Sequence, residues 1–138
     1  MGEKIAEILK NLEIALGELT KRQKITDEDY KKSRELQDII EREFERAIQD
    51  CIDIGARIIA TEGFEAADTY GEIFKILENN GVIDYELCDG MRELAGFRNV
   101  LVHIYRQIDH EEVLRHLKES LPAIRKFAKK TAEYVGLI

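Results

Sequence analysis

The chain has 138 residues, 44% of them apolar and 36% charged, with one proline, no tryptophan and a formal net charge of -7. That length fits a single domain over residues 1–138 with a real hydrophobic core, and the composition excludes collagen-like, mucin-like and disordered chains. The negative balance argues against a protein that coats nucleic acid generally.

The N-terminus, MGEKIAEILKNLE, is charged through its first turns and lacks the apolar centre of a signal peptide. Gly2 follows the initiator, but Ala6 stands where myristoylation needs Ser or Thr. No apolar run reaches the roughly 18 residues of a membrane-spanning helix. A cytoplasmic protein with no membrane partner is expected.

Helical periodicity then runs along the chain. Ile5, Ile8, Leu9, Leu12, Leu16 and Leu19 recur at spacings of three and four, which gives a first helix one apolar face. KRQKITDEDY breaks the pattern, and Thr26 with Asp29 forms an approximate capping box, so a second helix starts near residue 27. This helix is long. Leu36, Ile40, Phe44, Ala47, Cys51, Ile54 and Ile58 form one stripe, widened by Ile39, Ile48, Ile52, Gly55 and Ile59. A stripe so wide predicts burial on more than one side, as in a central helix or a dimer interface. Another line on it holds Arg46, Asp50, Asp53 and Arg57, read as i,i+4 salt bridges or, for Asp53, as a carboxylate pointing into a cleft.

TEGFEAADTYG is a loop into a short helix around 70–78, and ENNGVID is a break. Asp84 can cap a helix carrying Leu87, Met91, Leu94 and Ala95. Asp109 with Glu112 opens a last helix, which Pro122 should kink or split. With no alternating strand runs and no repeat, the expectation is an all-α bundle of about five helices.

Cys51 and Cys88 are isolated and read as buried thiols. His103, His110 and His116 have no metal-ligand spacing, so neither a metal nor another cofactor is expected. Charge is uneven: residues 98–138 hold eight Lys/Arg and five Asp/Glu, a balance of +3, against thirteen and twenty-three, or -10, in the rest. The basic part can attract a polyanion locally, or it is a solvated helix face.

The segment that stands out is GFRNVLVHIY, residues 96–105, where Arg98, Asn99, His103 and Tyr105 interrupt an apolar run. On a straight helix His103 lies about 140° round from Arg98. Either the helix loosens near its end, or two copies of the segment meet across a two-fold axis. An arginine and a histidine without a metal suit RNA cleavage. The ribose 2′-hydroxyl is the nucleophile, the imidazole moves protons at neutral pH and the guanidinium binds the phosphoryl oxygens. The bland reading is a satisfied core histidine.

GFRNVLVHIY, followed by Ile108-Asp109, closely resembles the signature of HepT-like toxins of the HEPN superfamily: an Arg, four residues, a His, one residue, a Tyr. AIQDCIDIGARIIA, residues 47–60, resembles the family's central helix, including Asp53. The resemblance implies a homodimeric, metal-independent endoribonuclease, the toxin of a toxin–antitoxin pair. Arg98 and His103 would be the catalytic pair, Asn99 a supporting group and Asp53 a weaker candidate at the cleft. It further implies a minimal nucleotidyltransferase (MNT) antitoxin as partner, which transfers AMP to Tyr105 and so blocks the phosphate site. A rival from another class is a non-catalytic nucleotide-binding accessory subunit of such a transferase; a third is a structural dimer whose motif is a relic.

Overall fold

The apolar periodicities resolve, in a computed structural model that describes residues 2–103 and 107–138, into seven helices among the described residues. They are α1 (Gly2–Lys21), α2 (Asp27–Lys32), α3 (Arg34–Glu62), α4 (Tyr70–Asn79), α5 (Tyr85–Val102), α6 (His110–Glu119) and α7 (Leu121–Tyr134). The expected all-α class holds; the count of about five does not, because two expected helices are each divided. Ser33 leaves the helical region, with φ -114 and ψ 104, and its hydroxyl accepts a bond from the Leu36 N–H 3.1 Å away. One serine thus closes α2 and caps α3. Farther on, Pro122 falls in the first turn of α7, where its missing N–H breaks no helical bond, and Ser120 separates α6 from α7.

The caps read from sequence are otherwise in place. Thr26 accepts from the Asp29 N–H and Asp84 from the Leu87 N–H. Asp109 accepts from the Glu111 and Glu112 N–H groups. In the ENNG break only Gly81 takes the left-handed conformation, at φ 77.

The long α3 is the axis of the bundle and packs on α1, α2, α4, α5 and α7. Ile40, Phe44, Ala47, Cys51, Ile54 and Ile58 of its stripe are fully buried, as are Ile48 and Gly55 beside them. Gly55 is where α4 comes nearest. A Cβ there would stand 2.6 Å from Ile73 Cγ2 and 3.2 Å from Leu77 Cδ1, so any larger residue would push the two helices apart. Cys51 and Cys88 are buried free thiols, and burial raises both above the ordinary thiol range, Cys88 to about 11. Among the described residues no helix is long and apolar enough to cross a membrane.

α4 and α5 form an antiparallel hairpin across the Asn80–Asp84 turn, which brings the start of α4 beside the end of α5. That end carries the Arg/His segment.

Candidate functional site

Arg98 and Asn99 occupy the last turns of α5, whose final residues include the β-branched Val100 and Val102. The helix stops there. His103 is its C-cap, at φ -88 and ψ 96, and its backbone N–H donates to the Val100 carbonyl at 3.3 Å. Of the two geometric escapes the sequence offered, the structure therefore contains the first: the backbone leaves the helix at the histidine, so His103 is not bound to the angular offset of a straight helix from Arg98.

The Arg98 guanidinium lies over the Tyr70 ring, 5.1 Å from its centroid, in cation–π geometry. Its Nη1 also donates to Asn99 Oδ1 at 3.4 Å. Among the described residues no carboxylate pairs with it, and its buried Nε has no hydrogen-bond partner. Among the described residues the guanidinium therefore has a ring and an amide as partners and no carboxylate counter-charge, an arrangement that suits an anion-binding arginine.

Behind Arg98, Phe97 anchors this end of α5 in the core. Its ring meets Phe44 edge-on at 5.4 Å and lies 4.3 Å from the imidazole of His116, which is 1% exposed. Glu93 holds Arg115 at 2.6 Å, Arg115 Nη2 reaches His116 Nε2 at 3.3 Å, and His116 Nδ1 lies 2.7 Å from the Ser120 hydroxyl. A guanidinium can only donate, so Nε2 accepts and the proton sits on Nδ1. Burial first, and the Arg115 charge second, push His116 down to about 4.

That depression has a measurable sign. The unfolded chain binds the His116 proton near 6.5 and the folded chain only near 4, so folding loses stability as pH falls through that window. The loss approaches about 3 kcal/mol at pH 4. Asp50 works the other way, since burial, with Asp53 adding to it, raises its carboxyl to about 6. His116→Gln should therefore flatten the acid limb of a denaturant-midpoint profile relative to the parent chain. An unchanged slope between pH 6.5 and 4 would contradict the assignment of His116 as a buried neutral base.

The profile described as Ribonuclease HepT-like matches residues 3–131. The chain belongs to the HepT-like ribonuclease family. An Archaeoglobus fulgidus protein is 32% identical over 92 residues, 67% of this chain and 69% of its own length. The mRNA nuclease HepT of Shewanella oneidensis is 26% identical over 98 residues, 71% of this chain and 74% of that protein. Among solved structures, the tri-AMPylated Shewanella oneidensis HEPN toxin in complex with its MNT antitoxin is similar in fold. Its TM-score is 0.86 at 21% identity, over 94% of this chain and 97% of that one.

In this HepT-like chain the other candidates are placed unequally. Asp53 is exposed on α3 and accepts a 2.8 Å bond from Gln49 Nε2, so the carboxylate is held by its own helix. The salt-bridge line drawn through it is not what forms: Arg46 pairs with Glu43 at 3.2 Å. Tyr105 lies outside the described residues. No group of three or more His, Cys, Asp or Glu suited to a metal ion occurs among the described residues.

Three contributors escaped the sequence reading. Tyr70 reaches Arg98 only because the α4–α5 hairpin returns it there, and nothing in its local spacing signals this. The burial of His116 was visible, in retrospect, from its place beside Leu117 on the apolar face of α6. The third is a set of links between α2 and both ends of α6. Tyr30 Oη lies 3.2 Å from His110 Nδ1, Lys118 pairs with Asp27 at 2.8 Å, and Lys31 pairs with Glu111.

Proposed function

We propose that this chain is a metal-independent endoribonuclease toxin, working as a homodimer that brings two Arg98/His103 pairs to one cleft. The ribose 2′-oxygen attacks the adjacent phosphorus and the 5′-oxygen leaves, giving a 2′,3′-cyclic phosphate and a 5′-hydroxyl. His103 moves protons in this exchange. Arg98 binds the phosphoryl oxygens, where its charge is worth most as negative charge builds up. Asn99 orients the guanidinium through its side-chain oxygen, and Asp53 is the weakest candidate, an acidic group at the rim of the cleft. DNA, lacking the 2′-hydroxyl, is spared.

The observation that supports this most is the state of Arg98: anchored by Tyr70 and Asn99, unmatched by any carboxylate among the described residues, and five positions before the histidine at which the helix ends. Membership of a ribonuclease family supports it independently.

An MNT-type nucleotidyltransferase is proposed as the antitoxin. The Tyr105 phenol oxygen attacks the α-phosphorus of ATP and pyrophosphate departs, leaving bulk and negative charge beside Arg98. The printed description of the Shewanella complex, an AMPylated toxin with its MNT antitoxin, supports this for a structure of the same fold.

The test is direct. Purified protein in excess chelator should cleave single-stranded RNA to cyclic-phosphate ends and leave the all-deoxy strand intact. After incubation with the cognate transferase and ATP, mass spectrometry should find adenylyl mass on the Tyr105 peptide, and cleavage should stop. No cleavage by unmodified protein of verified fold removes the nuclease reading. Inhibition with an unmodified tyrosine removes the AMP-transfer reading.

A further inference from the structure

Along α5, Asp89, Arg92, Gly96 and Asn99 follow one another at spacings of three and four, so they share a face. With Thr69, Tyr70 and Gly71 at the start of α4 they border an open hollow of about 470 Å³. That falls in the range of small-ligand sites, about 300–1,000 Å³. The hollow ends at Asn99 and Tyr70, the two residues that hold Arg98.

Gly96 is the informative position. It lies within α5, where a glycine weakens a helix. Packing does not require it: the residue is exposed and a Cβ built there meets no atom within 4 Å. The positive-φ glycines are Gly63, Gly81 and Gly136, so backbone conformation does not require it either. What the missing side chain does provide is depth in the hollow, next to Asn99. Tyr70 borders the same space and is 37% exposed as a residue, with the Arg98 guanidinium over one face of its ring.

We propose that this hollow seats the nucleobase next to the scissile phosphate of a single-stranded RNA, with the base against the Tyr70 ring and its edge over Gly96. The proposal rests on the nuclease reading of Arg98 and deepens it. Stacking on an aromatic ring is the usual way proteins hold unpaired bases. The polar rim suits a base edge better than a phosphate. Asp89 can accept from exocyclic amino groups, whereas Arg92 and Asn99 can donate to ring nitrogens and carbonyls; Glu93, also on the rim, is held by Arg115. The Asp89 carboxylate disfavours a second phosphate here, so the backbone is gripped at Arg98 and the base is received in the hollow.

The probe is a short fluorescent 2′-O-methyl RNA, which binds but has no free nucleophile, measured by anisotropy alongside cleavage of the matching natural strand. Tyr70→Ala and Gly96→Leu should each weaken binding of the probe about tenfold and raise KM to a similar degree. Tyr70→Phe, which keeps the ring, should restore both. Gly96→Leu replaces a poor helix former with a good one at an open position, so circular dichroism should show an intact fold. Affinities within twofold of the parent in both variants overturn the subsite. So does loss in Tyr70→Phe equal to that in Tyr70→Ala, absence of probe binding by the parent chain, or a change in oligomeric state in Gly96→Leu, which would make the hollow an interface between copies. The two readings fail separately. Probe binding that depends on Tyr70 without any RNA cleavage keeps the subsite and removes the nuclease, whereas cleavage with an unaltered KM in both variants does the reverse.

Discussion

His103→Ala should lower single-turnover cleavage of RNA by about 10²–10⁴-fold, the range expected when a positioned acid or base is lost. Arg98→Ala should cost about 10²–10³-fold, comparable to removing one strong donor from a developing oxyanion. The two losses should fall well short of additive in the double variant, because both side chains serve one phosphate. Arg98→Lys is a sharper probe than alanine. It keeps the charge but gives up the paired planar donors and the stacking on Tyr70, so it should recover only a small part of the rate. The measurement is a rate at saturating enzyme with folding verified. Cleavage by His103→Ala within tenfold of the parent chain would show that the imidazole is a bystander.

The largest effect on stability is expected at Phe44. Its ring is completely buried at the middle of the bundle and lies edge-on to Phe97 at 5.4 Å and 6.4 Å from His116. Phe44→Ala should destabilise the fold by about 3–5 kcal/mol, from lost burial together with the cavity left behind. A chain of this length has about 5–15 kcal/mol of stability in all, so the variant should sit near its unfolding transition at modest denaturant. Phe44→Leu should lose considerably less. The ring also backs the element that presents Arg98, so cleavage should weaken in Phe44→Leu as well. A midpoint shift in Phe44→Ala no greater than that in Phe44→Leu would contradict this packing.

Most of the fold was legible because a helix writes its period and its caps into the sequence. The α3 stripe named its own burial, and Asp84, Asp109 and Thr26 each accept the N–H bonds their positions implied. Ser33 was missed for a physical reason. A serine within a helical period is tolerated or capping depending on whether its hydroxyl turns to the N–H three residues on, and the flanking sequence leaves both open. For the candidate site, the polar interruption of an apolar run singled out Arg98, Asn99 and His103, and the family resemblance supplied their expected roles. The spacing left open whether the helix continued to the histidine, since Val100, Leu101 and Val102 fit a helix end as well as a helix interior. Tyr70 was illegible because it stands 28 positions before Arg98 and meets it only through the hairpin. Contacts made by tertiary return carry no periodic trace.

The short α2 has a consequence for solution conditions. Six residues are far too few for a helix to persist alone, so its neighbours maintain it. Two of its three links to α6 are surface ion pairs, Lys31–Glu111 and Lys118–Asp27, and these are weakened by added salt, whereas the Tyr30–His110 contact is not. Since α6 is the next described helix after Arg98 and His103 in the sequence, ionic strength acts on this molecule twice: through the RNA binding proposed above, and through the firmness with which α2 and α6 are held to each other.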